Sequence, residues 1–201
     1  MKTQIAALTI GIILASTCGF VQADTLLKGN MQGQPQITVK NGKTTACGLR
    51  IVGGNDINRP DDVLNGFDVS FNIYDSYLAL YKGLASRPIS GKDLVERKKI
   101  DGNVPLKSFW IKAPKLDASS PIGGKVIPGE TKHSLLYGSD LNQTLKLLNA
   151  VLDRQEIKVG IHRAGDTVGN VFYGVVQLTD EDIEQTGKCL GELLETMNQS
   201  K

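Results

Sequence analysis

The sequence is poor in histidine, cysteine and aromatic residues, with two His, three Cys and one Trp among 201 residues. Two histidines far apart in the chain do not supply the ligand spacing of a zinc site. The sequence also contains no Cys-x-x-Cys motif and no Gly-x-Ser-x-Gly nucleophile motif. We therefore expect no metal, no cofactor and no catalytic residue of a known class.

The chain also lacks an excess of charge of one sign, with 23 basic against 21 acidic residues. Such a balance gives no broad basic field, so we expect no nucleic-acid partner. Long apolar runs are missing after residue 23. Because a membrane-spanning helix needs about 20 apolar residues, we predict no transmembrane segment in residues 24–201.

The first 23 residues have the three-part pattern of a secretion signal. Lys2 supplies a basic start, the apolar run 5–15 follows, and Val21-Gln22-Ala23 is a small-x-small-like ending. This pattern predicts a signal peptide over 1–23, cleaved before Asp24, and a periplasmic or secreted protein. A retained anchor would need a longer apolar run, and a lipid on Cys18 would need different residues before it.

Residues 24–201 suit a single domain large enough to bury a hydrophobic core. They keep two cysteines, Cys47 and Cys189, which we expect to pair as one intrachain disulfide in an oxidising compartment. A redox-active or nucleophilic thiol is the alternative, but neither cysteine has a histidine near it in the sequence.

Alternating apolar residues predict a sheet-rich fold. The polar, Gly-containing stretch 24–36 is interpreted as a mobile N-terminal lead. Asn41-Gly42 between two alternating runs predicts a β-hairpin. Phe67, Val69, Phe71 and Ile73 alternate with polar residues, as in a half-buried strand. Similar runs predict six or seven strands in a mostly antiparallel sheet.

The last third of the sequence predicts two helices and two strands. Ser139 is the predicted cap of a leucine-rich helix, and Thr179 or Asp180 caps the C-terminal helix that carries Cys189. Strands are predicted over 157–161 and 168–178. Two helices packed on a mostly antiparallel sheet form an α+β fold.

This C-terminal pattern resembles that of small bacterial envelope proteins. A capped leucine helix, the strand Ile157-Lys158-Val159-Gly160-Ile161, a returning strand and a helix with Cys189-Leu190-x-x-Leu193 are similar to two groups over about residues 135–195. The groups are the invasion-associated locus B class and the type VI secretion accessory class. The resemblance implies a periplasmic, non-catalytic, sheet-based accessory protein. We expect its partner to be another envelope protein or an anionic envelope component.

Residues 92–115 are locally basic and contain interleaved aromatic residues. This pattern predicts a site for an anionic envelope component, such as lipid or polysaccharide. The predicted binding residues are Arg97, Lys98, Lys99, Lys107, Trp110 and Lys112. A solvated loop is the alternative. Trp110 and three tyrosines, Tyr74, Tyr77 and Tyr81, form either an exposed aromatic patch or part of the core.

A non-enzymatic binding or accessory protein is the function that these features favour. The alternative is a small envelope hydrolase with a serine–histidine pair. Its nucleophile would be Ser70 or Ser134, its base His133 or His162, and its acid a residue such as Asp166.

Overall fold

The structure is a computed structural model that describes residues 24–96 and 102–199. The predicted signal peptide and Arg97, Lys98 and Lys99 lie outside the described residues. The strands are β1 (Thr25–Lys40), β2 (Lys43–Asn55), β3 (Val63–Leu64), β4 (Gly66–Tyr74), β5 (Ala79–Ser86), β6 (Ile89–Ser90), β7 (Asn103–Val104), β8 (Leu106–Lys112), β9 (Ile127–Pro128), β10 (Leu135–Ser139), β11 (Glu156–Arg163) and β12 (Asn170–Gln177). The helices are α1 (Gly91–Val95), α2 (Leu141–Leu152) and α3 (Asp180–Gln199).

Ten of the described strands form one sheet, and β3 pairs separately with β6. The strand order is β8–β11–β12–β1–β2–β4–β5–β10–β9, with β7 beside β5. β1 runs parallel to β12, and the other paired neighbours are antiparallel. The predicted α+β class with a mostly antiparallel sheet is confirmed, whereas the predicted number of six or seven strands is too small.

The additional strands of the sheet are β7, β9 and β10, and β1 is also longer than predicted. Residues 25–36, interpreted from the sequence as a lead, belong to β1, the longest strand. β1 forms there because it pairs with β12 on one edge and with β2 on the other. β7 and β9 have two residues each, which is too short for any visible alternation.

The sheet is curled, and the core lies on its inner face. Phe109 of β8 lies against Gly83 of β5, although six steps separate these strands in the sheet order. The alternating residues Phe67, Val69 and Phe71 of β4 are buried on this inner face, which confirms the predicted alternation. The Asn41-Gly42 turn joins β1 to β2 with positive φ at both residues, also as predicted.

Both predicted helices form and pack against the sheet. α2 contacts β4 and β11, and α3 contacts β2 and β1. The cap of α2 is Asp140 rather than Ser139, because the Asp140 carboxylate accepts a hydrogen bond from the Gln143 N–H at 2.8 Å. Thr179 caps α3. Its hydroxyl accepts a hydrogen bond from the Asp182 N–H. The Thr179 hydroxyl and the Thr179 N–H both donate to the Asp182 carboxylate, and these two donations lower the pKa of Asp182.

A disulfide fastens α3 to the sheet. Cys47 of β2 and Cys189 of α3 are bonded, with Cα atoms 5.9 Å apart. Both residues are buried in the core. The predicted intrachain disulfide is therefore confirmed, and it links positions 142 residues apart in the sequence.

The contact between Gly83 and Phe109 predicts that a methyl group at position 83 destabilises the fold. A Cβ on Gly83 would lie 2.5 Å from the Phe109 ring, which is itself buried and packed against Tyr137. We expect Gly83→Ala to lower the free energy of unfolding by about 1–3 kcal/mol, since overpacking forces side chains and backbone to shift. Urea denaturation followed by circular dichroism measures this change.

Gly191→Ala is the matched control. Gly191 lies on the exposed side of α3, where a Cβ meets no atom within 4 Å. Alanine is the better helix former by about 0.5–1 kcal/mol, so this variant should be slightly more stable than the wild type. Equal stability of the Gly83→Ala variant and the wild-type protein would contradict the close approach of β5 and β8.

Candidate functional site: a basic platform on the outer face of the sheet

The outer face of the sheet carries a group of basic and aromatic residues on four adjacent strands, β8, β11, β12 and β1. On these strands the inward residues belong to the core, and the alternate residues point outward. The outward residues include Lys28, Trp110, Lys112, Lys158 and Tyr173, which we call the basic platform.

Three lysines of the basic platform lie in one cross-strand row. Lys112 pairs with Lys158, Lys158 with Tyr173, and Tyr173 with Lys28. With neighbouring strands about 4.8 Å apart, this row of four residues is about 14 Å wide. The basic platform therefore presents positive charge along a line across the sheet, rather than at one point.

The lysines of this row are not neutralised within the part of the chain that the structure describes. None of the three makes an ion pair or a side-chain hydrogen bond there. Lys112 and Lys158 are directly opposite each other, an arrangement in which like charges repel. Glu156 is the acidic residue beside them on the outer face of β11. An anion that bridges the two lysines would relieve their repulsion.

Trp110 gives the basic platform a flat apolar surface beside these charges. It pairs with Gly160 of β11, and a Cβ at position 160 would lie 2.1 Å from the indole ring. The indole therefore lies directly on the β11 backbone, which only glycine permits. A depression of about 470 Å³ adjoins it, and its lining includes Trp110, Lys112, Lys158 and Val171.

The structure brings together only some of the residues predicted from the sequence to bind an anion. Trp110 and Lys112 lie two residues apart on the outer face of β8. Lys107 is exposed at the start of the same strand, in a bulge between the paired residues Leu106 and Ser108. The remaining predicted residues, Arg97, Lys98 and Lys99, lie outside the described ranges.

Three members of the basic platform were absent from the sequence prediction. Lys158 was detectable, because it alternates with buried residues of a predicted strand and therefore points outward. Tyr173 is likewise outward on β12. Lys28 was not detectable, since residues 24–36 have no clear strand pattern. No sequence signal indicates that β1 lies beside β12, because their parallel pairing joins residues about 145 positions apart.

The tyrosines near the middle of the chain do not extend the basic platform. Tyr81 is buried and stacks with Tyr137, with ring centroids 5.2 Å apart. Burial raises the pKa of Tyr81 to about 12 and moves that of Tyr137 in the same direction. Tyr77 is partly exposed, and its hydroxyl donates to the carbonyl oxygen of Met197 at 2.7 Å.

The residues considered for a hydrolase occur in three parts of the chain: Ser70 on β4, His133 and Ser134 just before β10, and His162 and Asp166 at the end of β11. Ser134 is buried, and its hydroxyl donates to the Thr131 carbonyl oxygen at 2.6 Å. His162 Nε2 is 2.9 Å from the carbonyl oxygen of Asp166. Ser70 lies on β4 between Arg50 and Lys82 of the adjacent strands. No serine–histidine hydrogen bond occurs between residues within 24–96 and 102–199.

No helix among the described residues is long and apolar enough to cross a membrane. The same residues contain no group of three or more His, Cys, Asp or Glu side chains arranged to hold a metal ion. Comparison with known proteins identifies no family model, no curated protein and no solved structure that matches this chain.

Proposed function

We propose that this chain is a non-enzymatic binding protein of the periplasm or the cell exterior, and that its basic platform binds an anionic polysaccharide of the cell envelope. The observation that carries this proposal is the directly opposed pair Lys112 and Lys158 beside the flat indole of Trp110. Unneutralised lysines attract carboxylate or phosphate groups, and an aromatic face accommodates a sugar ring.

The shape of the site favours a polysaccharide over a lipid surface. The cations lie on the outer face of a sheet, rather than on an amphipathic helix that could enter a bilayer interface. The depression beside Trp110, at about 470 Å³, has room for a sugar ring next to Lys112 and Lys158. Continuation of the row to Lys28 suits a chain with repeated negative charges.

The proposed location depends on two features of the chain. Residues 1–23 have the pattern of a secretion signal. The disulfide between Cys47 and Cys189 is of a kind that persists in oxidising compartments and is rare in the cytosol. Both features support an exported protein that meets envelope polysaccharides, in agreement with the resemblance to bacterial envelope accessory proteins.

Neutralising the opposed lysines tests the proposal. In the double variant Lys112→Gln/Lys158→Gln, we expect affinity for polygalacturonate, an anionic polysaccharide probe, to fall about 30-fold. Each cation close to an anionic surface contributes about 1 kcal/mol, and 1.4 kcal/mol corresponds to a factor of ten. Isothermal titration calorimetry measures the affinity. Binding of the wild-type protein should also weaken as NaCl is raised, because salt screens exposed charges.

The matched control is Lys146→Gln/Lys188→Gln, which removes two exposed lysines from helices α2 and α3. It should bind polygalacturonate as tightly as the wild-type protein. Equal loss in both double variants would show attraction by net charge alone and contradict a defined site. Binding to phosphatidylglycerol vesicles without binding to polygalacturonate would assign the basic platform to a lipid and overturn the polysaccharide proposal.

A further inference from the structure

A second feature of the outer sheet face is a polar cavity over strands β2, β4 and β5. Its volume is about 530 Å³, and its lining includes Arg50, Asp68, Ser70, Lys82, Asn103 and Thr131. None of these residues belongs to the basic platform, which lies on β8, β11, β12 and β1. The Lys82 Nζ donates to the Thr131 hydroxyl at 2.9 Å and so connects the loop before β10 to the wall of the cavity.

Arg50, Ser70 and Lys82 form one cross-strand row at this cavity. Arg50 pairs with Ser70, and Ser70 pairs with Lys82. The two long cations therefore stand on either side of a small residue, with their Cα atoms about 10 Å apart from the spacing of two strand intervals. The short side chain of Ser70 leaves the space between the cations open.

Ser70 contributes to the cavity a hydroxyl group that is unpaired among the described residues. It is only 7 % exposed, and it lines the cavity. Its hydroxyl makes no hydrogen bond to any residue that the structure describes. The hydroxyl oxygen opens into the cavity rather than into the protein interior. The Ser70 hydroxyl is thus a donor and acceptor available to a molecule between Arg50 and Lys82.

The charges around the cavity indicate what charge a bound molecule should carry. Asp68 accepts two hydrogen bonds from Arg50, at 2.9 and 2.6 Å, which balance the guanidinium charge and raise its pKa. Lys82 has no acidic partner among the described residues, and two of its three N–H groups remain free to donate. One positive charge is therefore in excess. It matches a single carboxylate, whereas a dianionic phosphate would face the Asp68 carboxylate.

From this arrangement we infer that the polar cavity is a binding site for a small hydroxylated carboxylate, such as a hydroxy acid or a sugar acid. The carboxylate lies between Lys82 and the free N–H groups of Arg50, and it accepts a hydrogen bond from Ser70. Hydroxyl groups of the ligand bond to Asn103 and Thr131. This site is separate from the basic platform and does not depend on the polysaccharide proposed to bind there.

Titration with D-glucuronate, followed by ¹⁵N NMR, tests the inference. We expect saturable shifts of the Ser70, Lys82 and Asn103 amide signals, and no such shifts with D-glucose, which lacks the carboxylate. Lys82→Gln should weaken D-glucuronate binding about tenfold, because the ligand carboxylate then accepts a hydrogen bond from a neutral amide instead of from a cation. Ser70→Ala should also weaken binding. Because alanine is close to serine in size, this substitution leaves the strand packing intact.

Two control variants make the outcome specific. Lys146→Gln removes an exposed lysine of α2 and should leave D-glucuronate binding unchanged. The Lys112→Gln/Lys158→Gln variant should also bind D-glucuronate normally, so failure of the polysaccharide proposal leaves this inference standing. Absence of shifts at millimolar D-glucuronate would overturn the inference. So would shifts with inorganic phosphate alone, or binding that is lost in the Lys112→Gln/Lys158→Gln variant but kept in Lys82→Gln.

Discussion

Replacing both disulfide cysteines by alanine should lower the free energy of unfolding by about 5 kcal/mol. The bond joins residues 142 positions apart, and a cross-link over so long a loop removes much of the conformational freedom of the unfolded chain. Stabilities of single domains are about 5–15 kcal/mol, so the expected loss is a large share of the total. The melting temperature should fall by about 10–20 °C, since 1 kcal/mol corresponds to about 2–4 °C in a domain of this size.

Urea denaturation of the Cys47→Ala/Cys189→Ala variant, with and without reductant, measures this effect. Reductant should destabilise the wild-type protein to nearly the same extent as the double substitution and should leave the double variant unchanged. This comparison separates loss of the bond from loss of packing, because both cysteines are buried in the core. A double variant that unfolds at the wild-type urea concentration would contradict a stabilising disulfide between β2 and α3.

The parts of the fold that were predictable from the sequence are those with a strong local pattern. Phe67, Val69 and Phe71 alternate with polar residues because one face of β4 lies on the core, and this period of two is visible in the chain. The Asn41-Gly42 turn is equally local. Residues 25–36 of β1 were missed because their outward side chains are mostly polar and their inward ones include glycine, so their strand character depends on pairing with β2 and β12.

The difference between local patterns and long-range strand pairing also explains which residues of the candidate site were predictable from the sequence. Trp110 and Lys112 were found because both lie in one short basic and aromatic segment. Lys28 and Lys158 join them only through strand pairing between distant parts of the chain. Gly160 carries no chemical signal of its own, yet the absence of its side chain allows the Trp110 indole to lie on β11. The polar cavity at Ser70 was not predictable from the sequence either, because strand pairing brings its lining residues together from β2, β4 and β5.

A buried arginine holds the two ends of the curled sheet together. Arg163, at the end of β11, is only 2 % exposed. Its Nε donates to the Ser86 carbonyl oxygen of β5 at 3.1 Å, and its Nη2 lies 3.5 Å from the Gly66 carbonyl oxygen of β4. Burial lowers the pKa of Arg163, and the nearby Asp166 carboxylate, 3.8 Å away, opposes this shift. Arg163 therefore connects β11 to strands that are not its neighbours in the sheet order.

Arg163→Ala should lower the free energy of unfolding by about 3–4 kcal/mol, because it leaves both a cavity and two carbonyl groups without their donor. Arg163→Met should lose less, about 1–2 kcal/mol, since it fills the space and also removes the cost of burying a cation. Urea denaturation measures both values. Hydrogen exchange should show faster exchange at the ends of β5 and β11 in Arg163→Ala, while exchange in the β1–β2 hairpin stays slow. This account predicts that the methionine variant is more stable than the alanine variant, because methionine fills the space that alanine leaves empty. A methionine variant less stable than the alanine variant would therefore contradict it.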